Sequence, residues 1–171
     1  NRVFLLGVAS AALAATPALA QDVTIINARV VTGDGSEPIE NGTVVVAGGK
    51  VVYAGPASGA PAAGPSGGAG VDAGGAYVTP GLFATVTTLG LADVGAVDDS
   101  NDSTAGGSPF SAALDAAMAI NPTSQNILVH RAAGITRAAT TTLPSGSIFA
   151  GQGAIIDLDG DANAVMQPRA F

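Results

Sequence analysis

Runs of β-branched residues separated by glycine dominate the first third of the chain. Residues 23–32 read VTIINARVVT and predict a strand, because β-branched side chains fit a pleated surface. Two further apolar runs, 43–47 and 50–54, flank a Gly-Gly pair at 48–49. Glycine accepts a positive φ at both central positions of a tight turn without steric cost, so this pattern predicts a hairpin. We therefore expect a small antiparallel sheet over residues 22–55.

A shift in composition follows the predicted sheet. Residues 56–75 consist mainly of Gly, Ala and Pro, and such a segment cannot bury enough apolar area to offset its chain entropy. It is predicted to be a loose linker or a long surface loop. Beyond it, 76–78 is a short β-like stub, and the apolar run 82–91 predicts a buried strand. The acidic, Ser/Asn/Gly-rich stretch 93–107 predicts a loop.

Two helices are predicted in the next part of the chain. Ser108 and Pro109 suit an N-cap and a first helical position. Apolar residues then recur at the spacing of one helix face: Phe110, Leu114, Ala117 and Met118. Asn-Pro at 121–122 ends this helix, because the residue before proline avoids the α region. A second helix is predicted over 124–133, with Gly134 as the residue that follows its C-cap.

The last predicted elements are strands at 135–143 and 154–158, separated by a Pro-Ser-Gly turn. From residue 108 onward the predicted order is therefore helix, helix, strand, loop, strand. This order is typical of an α/β architecture with a partly parallel sheet. The predicted fold class is accordingly α/β.

Composition narrows the functional classes. Of the 171 residues, 47% are hydrophobic and only 11% are charged, which argues against a disordered chain. The formal net charge of -7 argues against a nucleic-acid partner, which would require clustered Lys and Arg. The chain has no Cys and a single His, so disulfides, thiolate chemistry and any site with two or more His ligands are excluded within it.

Residues 1–20 have the pattern of a secretory signal peptide. Arg2 supplies a positive start, 3–15 form a short apolar region, and Ala-Leu-Ala at 18–20 gives a cleavage site before Gln21. The apolar run is too short for a convincing membrane span. We expect export to the bacterial periplasm or the exterior after removal of this segment. An N-terminal anchor or a buried helix is the alternative interpretation.

Two short motifs carry a family resemblance: VTPGL at 78–82 and GQGAIIDL at 151–158. Together they resemble the metal-dependent amidohydrolases, in particular the secreted imidazolonepropionase-like branch, and the resemblance covers nearly all of residues 22–160. It implies a β-sandwich segment followed by the opening units of a (β/α)8 TIM-like barrel. The implied domains are a β-rich subdomain with its linker at 21–75 and a partial barrel at 76–171.

The chain departs from that family at the expected metal site. In the family an acidic residue and a His-x-His pair follow Pro-Gly-Leu, whereas Val86 and Thr88 occupy the two His positions here. Valine has no lone pair, and a Thr hydroxyl cannot replace imidazole as a zinc ligand. Zinc is thus implied by the family only and is not supported by the residues of this chain. The stretch from Gly75 to Phe171 is also much shorter than the about 250 residues of a complete barrel, so we expect a fragment of a longer protein.

Two small motifs are candidates for substrate binding. His130 and Arg131 lie near a predicted helix end. Gly151, Gln152 and Gly153 form a loop in which backbone N–H groups can approach a ligand. The alternatives are a surface His beside a solvated Arg, and a plain tight connection before a strand. No catalytic residue is identified.

Other kinds of site are disfavoured by spacing. The acidic runs 98–102 and 157–161 lack the Gly and Glu positions of a calcium loop and are predicted to be solvated turns. The glycine clusters match neither a phosphate-binding loop nor a dinucleotide fingerprint. No Gly-x-Ser-x-Gly elbow is present that would indicate a serine hydrolase.

Two functions stay open on these observations. The first is an exported amidohydrolase-like hydrolase that acts on carbon–nitrogen bonds, other than peptide bonds, of a small cyclic amide-type substrate. In that case the longer parent is the enzyme, and this segment alone is inactive. The second is a non-catalytic periplasmic binding or structural relative that kept the fold and lost the metal. The expected partner is a small molecule, with no nucleic acid and no membrane after signal cleavage, and a homo-oligomer is left open.

Overall fold

The computed structural model describes residues 22–61, 69–94 and 97–171. The predicted signal segment, 1–20, lies outside the described residues. The chain divides into two compact units that part between Pro80 and Gly81. No helix of the described residues is long and apolar enough to cross a membrane.

The first unit is a β-sheet. Its strands are β1 (Val23–Val30), β2 (Ile39–Ala47), β3 (Lys50–Pro56), β4 (Ala69–Asp72) and β5 (Tyr77–Val78). They pair in the order β3-β2-β1-β4, and β5 also pairs with β1. The β1–β2 and β2–β3 pairs are antiparallel, whereas β4 and β5 run parallel to β1. Its buried centre consists of Ala28, Val30 and Val44.

The hairpin expected at the Gly-Gly pair is confirmed. Strand β2 ends at Ala47 and β3 begins at Lys50, and these two residues face each other across the turn. Gly48 and Gly49 adopt φ values of 56° and 75°, the left-handed region that residues with a Cβ rarely adopt. The Gly48 N–H also donates to the Asp22 carboxylate at 2.7 Å, which ties the turn to the start of β1.

The prediction of a loose linker over residues 56–75 is wrong in its last part. Residues 69–72 form β4 and pair in parallel register with β1, from Val23 opposite Ala69 to Ile26 opposite Asp72. The Asp72 carboxylate accepts hydrogen bonds from the Gly74 N–H at 2.8 Å and the Asn27 amide at 3.0 Å. The Gly/Ala-rich segment 69–72 is therefore ordered by backbone pairing with β1 and by the hydrogen bonds of Asp72, rather than by apolar side chains.

The second unit combines a four-stranded sheet with one α-helix among the described residues. The strands are β6 (Leu82–Thr87), β7 (Ile135–Thr140), β8 (Ala154–Asp157) and β9 (Val165–Gln167), and the helix is α1 (Gln125–Ala132). They pair in the order β6-β7-β8-β9. The β6–β7 pair is parallel, and the β7–β8 and β8–β9 pairs are antiparallel.

The α/β class is therefore correct, but the finer barrel prediction is not shown. In the described residues, β6, α1 and β7 make one parallel strand–helix–strand unit, and the sheet then continues with antiparallel strands. A (β/α)8 barrel consists of parallel strands that are each followed by a helix. The described part of the second unit is a mixed sheet composed mainly of strands.

The helix predicted over residues 108–121 is wrong. The structure has bends and turns there, and only Ala116–Ala119 forms a short 3-10 turn. The apolar residues that suggested a helix face are not buried together, because Phe110 is 64% exposed and Met118 is 86% exposed. The apolar spacing therefore does not mark a buried helix face in this structure.

Backbone pairing with a distant segment replaces that helix. The Gln152 N–H donates to the Leu114 carbonyl at 2.8 Å, and the Ala116 N–H donates to the Gln152 carbonyl at 3.0 Å. The Asp115 side chain accepts from the Ala117 N–H at 3.0 Å, an arrangement that favours a turn over a continuous helix. The backbone carbonyl of Leu114 and the backbone N–H of Ala116, which a helix would have used for its own hydrogen bonds, are thus bonded to Gln152.

Helix α1 forms where it was predicted. Ser124 precedes it, and Gly134, with a φ of 92°, follows its C-cap residue Ala133. Ile127 is fully buried and packs in the core of the unit. That core comprises Leu89, Ile127, Ala138, Ile156 and Leu158. The helix therefore covers the sheet formed by β6, β7 and β8.

Candidate functional site

A cavity of about 500 Å³ lies between β6 with its following turn and helix α1. Its size suits a small organic molecule. Most of its lining is apolar or carries only a hydroxyl: Ala84, Val86, Thr87, Thr88, Leu89, Ala92 and Ile135. Helix α1 contributes the two more polar side chains, Asn126 and His130. No carboxylate, Lys or Arg is among these lining residues.

The two positions that the family resemblance assigns to metal-binding His line this cavity. Val86 lies near the end of β6 with 76% of its surface exposed, and Thr88 is in the turn that follows. Neither side chain is a good zinc ligand. Among the described residues, no three His, Cys, Asp or Glu side chains gather closely enough to hold a metal ion. The residues present do not fit the zinc that the family implies.

His130 is held in place by its own helix. Its Nδ1 atom lies 2.7 Å from the backbone carbonyl oxygen of Asn126, one turn earlier. A carbonyl oxygen only accepts hydrogen bonds, so Nδ1 donates in this contact. In the tautomer whose single ring proton is on Nδ1, Nε2 is an acceptor. His130 also lines the cavity, so its imidazole contributes a polar group there.

Asn126 connects the helix to the loop after β6. Its side-chain amide donates to the Ala92 carbonyl at 2.8 Å and to the Asp93 carbonyl at 3.4 Å. The Ser124 hydroxyl also donates to the Ala92 carbonyl, at 3.2 Å. Sequence analysis missed Asn126, although its spacing of four residues from His130 places the two on one helix face. That spacing was the signal that could have found it.

Arg131 does not share the position of His130. Consecutive helix residues are rotated by about 100° from each other, so neighbours in sequence point in different directions. The Arg131 guanidinium donates to the Asp159 backbone carbonyl in the turn after β8. It is not among the residues that line the cavity. The structure therefore separates the two members of the predicted His-Arg pair.

The Gly-Gln-Gly motif lies outside the cavity lining, and its backbone is engaged with other parts of the unit. The Gln152 N–H donates to Leu114, as described above, and the Gly153 N–H donates to the Phe171 carbonyl at 2.9 Å. Gly151 has a φ of 124°, a conformation that requires glycine. A role of this motif in substrate binding stays a prediction.

The acidic turn after β8 uses its carboxylates on its own backbone. The Asp159 side chain accepts from the Asp161 N–H at 2.9 Å, and the Asp161 side chain accepts from the Asn163 N–H at 2.6 Å. Burial raises the pKa of the neighbouring Asp157 carboxyl, and the nearby negative charge of Asp159 adds to this effect. The carboxylates of Asp159 and Asp161 are thus engaged with backbone N–H groups of their own turn.

The described residues form an α/β fold with a counterpart among solved structures. The structure is similar to the crystal structure of an amidohydrolase from Thermotoga maritima, with a TM-score of 0.65 and 24% sequence identity. The match covers 80% of this chain and 33% of the other, so the chain spans about a third of the length of that protein. This likeness shows that the chain has an amidohydrolase-like fold.

A second solved structure gives a weaker match. Molinate hydrolase aligns with 42% of this chain and 15% of its own, at 22% identity and a TM-score of 0.35, which is too low to indicate a shared fold. No protein-family model matches the chain, and no curated protein sequence matches it either. The fold assignment therefore rests on the Thermotoga amidohydrolase.

Proposed function

We propose that the chain is part of an exported amidohydrolase-like hydrolase that acts on carbon–nitrogen bonds, other than peptide bonds, of a small cyclic amide-type molecule. The observation that carries this proposal is the structural likeness to the Thermotoga amidohydrolase over 80% of the chain. Because the chain spans 33% of that protein, the activity would belong to a longer protein that supplies further residues to the site.

The finer architecture is part of the same proposal. The first unit would contribute to a β-sandwich, and the second would open a (β/α)8 barrel. The parallel β6–α1–β7 unit supports this assignment, because a parallel strand pair joined through a helix is the repeating element of such barrels. The antiparallel strands β8 and β9 would then be an addition that departs from the alternating parallel strands and helices of the barrel.

A second function is favoured by one specific observation. The family resemblance assigns the positions of Val86 and Thr88 to two metal-binding His residues, and both residues line the cavity beside α1. A protein that kept the fold and lost these ligands would bind a small molecule, or serve a structural role, without hydrolysing it. This is the non-catalytic alternative. In the hydrolase, the metal ligands would instead come from residues outside this chain.

The two functions differ in what they do to a cyclic amide. The test uses the complete protein encoded by the reading frame that contains this chain. It is incubated with 2-pyrrolidinone and hydantoin, and the ring-opened acid is measured by mass spectrometry. The hydrolase predicts product that disappears after chelation and returns with added zinc. The absence of product with each of several divalent metals would support the non-catalytic alternative.

Localisation and partners also belong to this proposal. The signal pattern at residues 1–20 supports export to the periplasm or the exterior. The acidic balance, with a net charge of -7, supports a small-molecule partner over a nucleic acid. A homo-oligomer is compatible with both functions, and sedimentation of the complete protein would identify it.

A further inference from the structure

We infer that the cavity between β6 and α1 is a metal-independent binding site for a small, uncharged ring compound that donates one hydrogen bond to Nε2 of His130. The inference concerns binding alone and stands apart from the proposed hydrolysis. It rests on three observations: the volume and lining of the cavity, the contact of His130 Nδ1 with the Asn126 carbonyl, and the residues at positions 86 and 88.

The lining determines the charge and the polarity of the ligand. No carboxylate, Lys or Arg is among its residues to pair with an ionic ligand. An ion moved from water into such a site would lose hydration without gaining a partner. The apolar lining from Ala84, Val86, Leu89 and Ile135 favours a flat hydrocarbon surface. The ligand is therefore neutral and largely apolar.

The imidazole determines which polar group the ligand carries. Nδ1 of His130 is committed to the Asn126 carbonyl at 2.7 Å. With the ring proton on Nδ1, Nε2 is the acceptor, and it makes no hydrogen bond to the described residues of the chain. A ligand with one N–H or O–H can donate to this atom, whereas a ligand without a donor gains no such hydrogen bond.

Positions 86 and 88 explain why no metal takes part. With the family His pair, the cavity would hold three imidazoles, enough for a zinc site. With Val86 and Thr88 in place, His130 is the only lining residue whose side-chain nitrogen is a good zinc ligand. The Thr88 hydroxyl, which donates and accepts, can serve a second polar group on the ligand. The substitutions thus convert a position of metal binding into one of neutral ligand binding.

The probes are indole and 1-methylindole, which share a ring system and differ in the N–H donor. The chain has no Trp, so either probe can be followed by its own fluorescence with excitation at wavelengths that Tyr does not absorb. The complete chain should bind indole saturably, and 1-methylindole about tenfold more weakly, the loss expected for one hydrogen bond. Addition of a chelator should leave indole binding unchanged.

The variants test the assignment to His130. His130→Leu should weaken indole to the level of 1-methylindole, while Gln125→Leu, an exposed position on the same helix, should keep the full difference. Circular dichroism of each variant confirms that it folds. Equal binding of the two probes by the unmodified chain would overturn the inference, as would a lack of saturable indole binding or its loss on chelation. A difference between the probes that persists in His130→Leu would also overturn it.

Discussion

Asp115 and Arg169 form an ion pair in which Arg169 Nε lies 2.8 Å from Asp115 Oδ2. The other oxygen of the same carboxylate accepts from the Ala117 N–H at 3.0 Å. One side chain therefore caps the 3-10 turn Ala116–Ala119 and also binds the segment after β9. The hydrogen bond from Arg169 is the main reason that the pKa of Asp115 is lowered below its ordinary value of 3.8, and the Ala117 N–H contributes in the same direction.

Arg169→Gln should lower the melting temperature at neutral pH by about 2 °C, the scale of a surface ion pair in a small domain. Because the folded-state pKa of Asp115 is lowered, its stabilising contribution is present above the ordinary pKa of 3.8 and is lost as the pH falls through the lowered value. The difference between the two proteins should therefore shrink at acid pH. Thermal melts by circular dichroism between neutral pH and pH values below 3.8 measure it.

Lys50→Gln is the control for this experiment. It removes an exposed cation that makes no ion pair among the described residues, so its melting temperature should follow that of the unmodified chain at every pH. The melting temperature of Arg169→Gln could instead stay lower than that of the unmodified chain by the same amount down to the most acidic pH at which the protein folds. In that case the ion pair would not be the cause of the difference.

Val86→His combined with Thr88→His should create a zinc site. The two new imidazoles would join His130 in one cavity, and three His ligands with a water molecule complete a tetrahedral zinc site. We expect about one zinc per chain in the double variant and no tightly bound zinc in the unmodified chain. Elemental analysis of protein purified without a chelator or a His tag measures both.

A third substitution shows whether His130 takes part in that site. His130→Leu in the double-His background should weaken zinc binding, because a pair of imidazoles is a poorer site than three. If this triple variant bound zinc as strongly as the double variant, the zinc ligands would lie elsewhere and would not include His130. Stoichiometric zinc in the unmodified chain that disappears on changing residues 86 and 88 would contradict the interpretation of this cavity.

Gly81→Ala should destabilise the second unit by about 1–3 kcal/mol, the usual cost of overpacking. A Cβ at Gly81 would lie 2.7 Å from Thr136 Cβ and closer still to its two γ atoms. The atoms in the way belong to Thr136, a β-branched residue of β7. Its side chain has few rotamers available and cannot easily move aside. Denaturant unfolding monitored by circular dichroism gives the change in free energy.

Gly70→Ala is the matched control for Gly81→Ala. It is the same substitution in a strand, β4, and a Cβ there would meet no atom within 4 Å. Its effect on the free energy of unfolding should be within about 0.5 kcal/mol, as for surface substitutions generally. A Gly81→Ala variant as stable as Gly70→Ala would show that β6 and β7 can separate to accommodate the methyl group.

Export should remove residues 1–20. The Ala-Leu-Ala site at 18–20 predicts Gln21 as the first residue of the exported protein. Mass spectrometry of the exported product measures its N-terminus. Ala20→Arg should block processing, because a small residue is required before the cleaved bond, whereas Asp22→Asn beyond it should not. An exported product that still contains residue Arg2 would refute the signal-peptide interpretation.

Sequence and structure agree best where conformation is decided locally. The hairpin at Gly48 and Gly49 needs two positive φ values, and the residue type alone permits them. Helix α1 ends where Gly134 follows its C-cap residue, with a φ of 92° that glycine readily adopts, whereas the hydroxyl of Ser124 at its start does not cap the helix and donates to the Ala92 carbonyl. In both cases the physical cause lies within a few residues of the chain, so a sequence pattern is sufficient to predict it.

What only the tertiary structure decided depends on contacts between distant residues. The apolar spacing after Ser108 predicted a helix, but backbone pairing of Leu114 and Ala116 with Gln152 replaced it. The sequence alone determined that Val86 and Thr88, and no His, follow the Pro-Gly-Leu motif, at the positions that the family resemblance assigns to metal ligands. That His130 lines the same cavity was decided by the packing of α1 on the sheet of the second unit, because no local pattern encodes which side chains meet across some forty residues of chain.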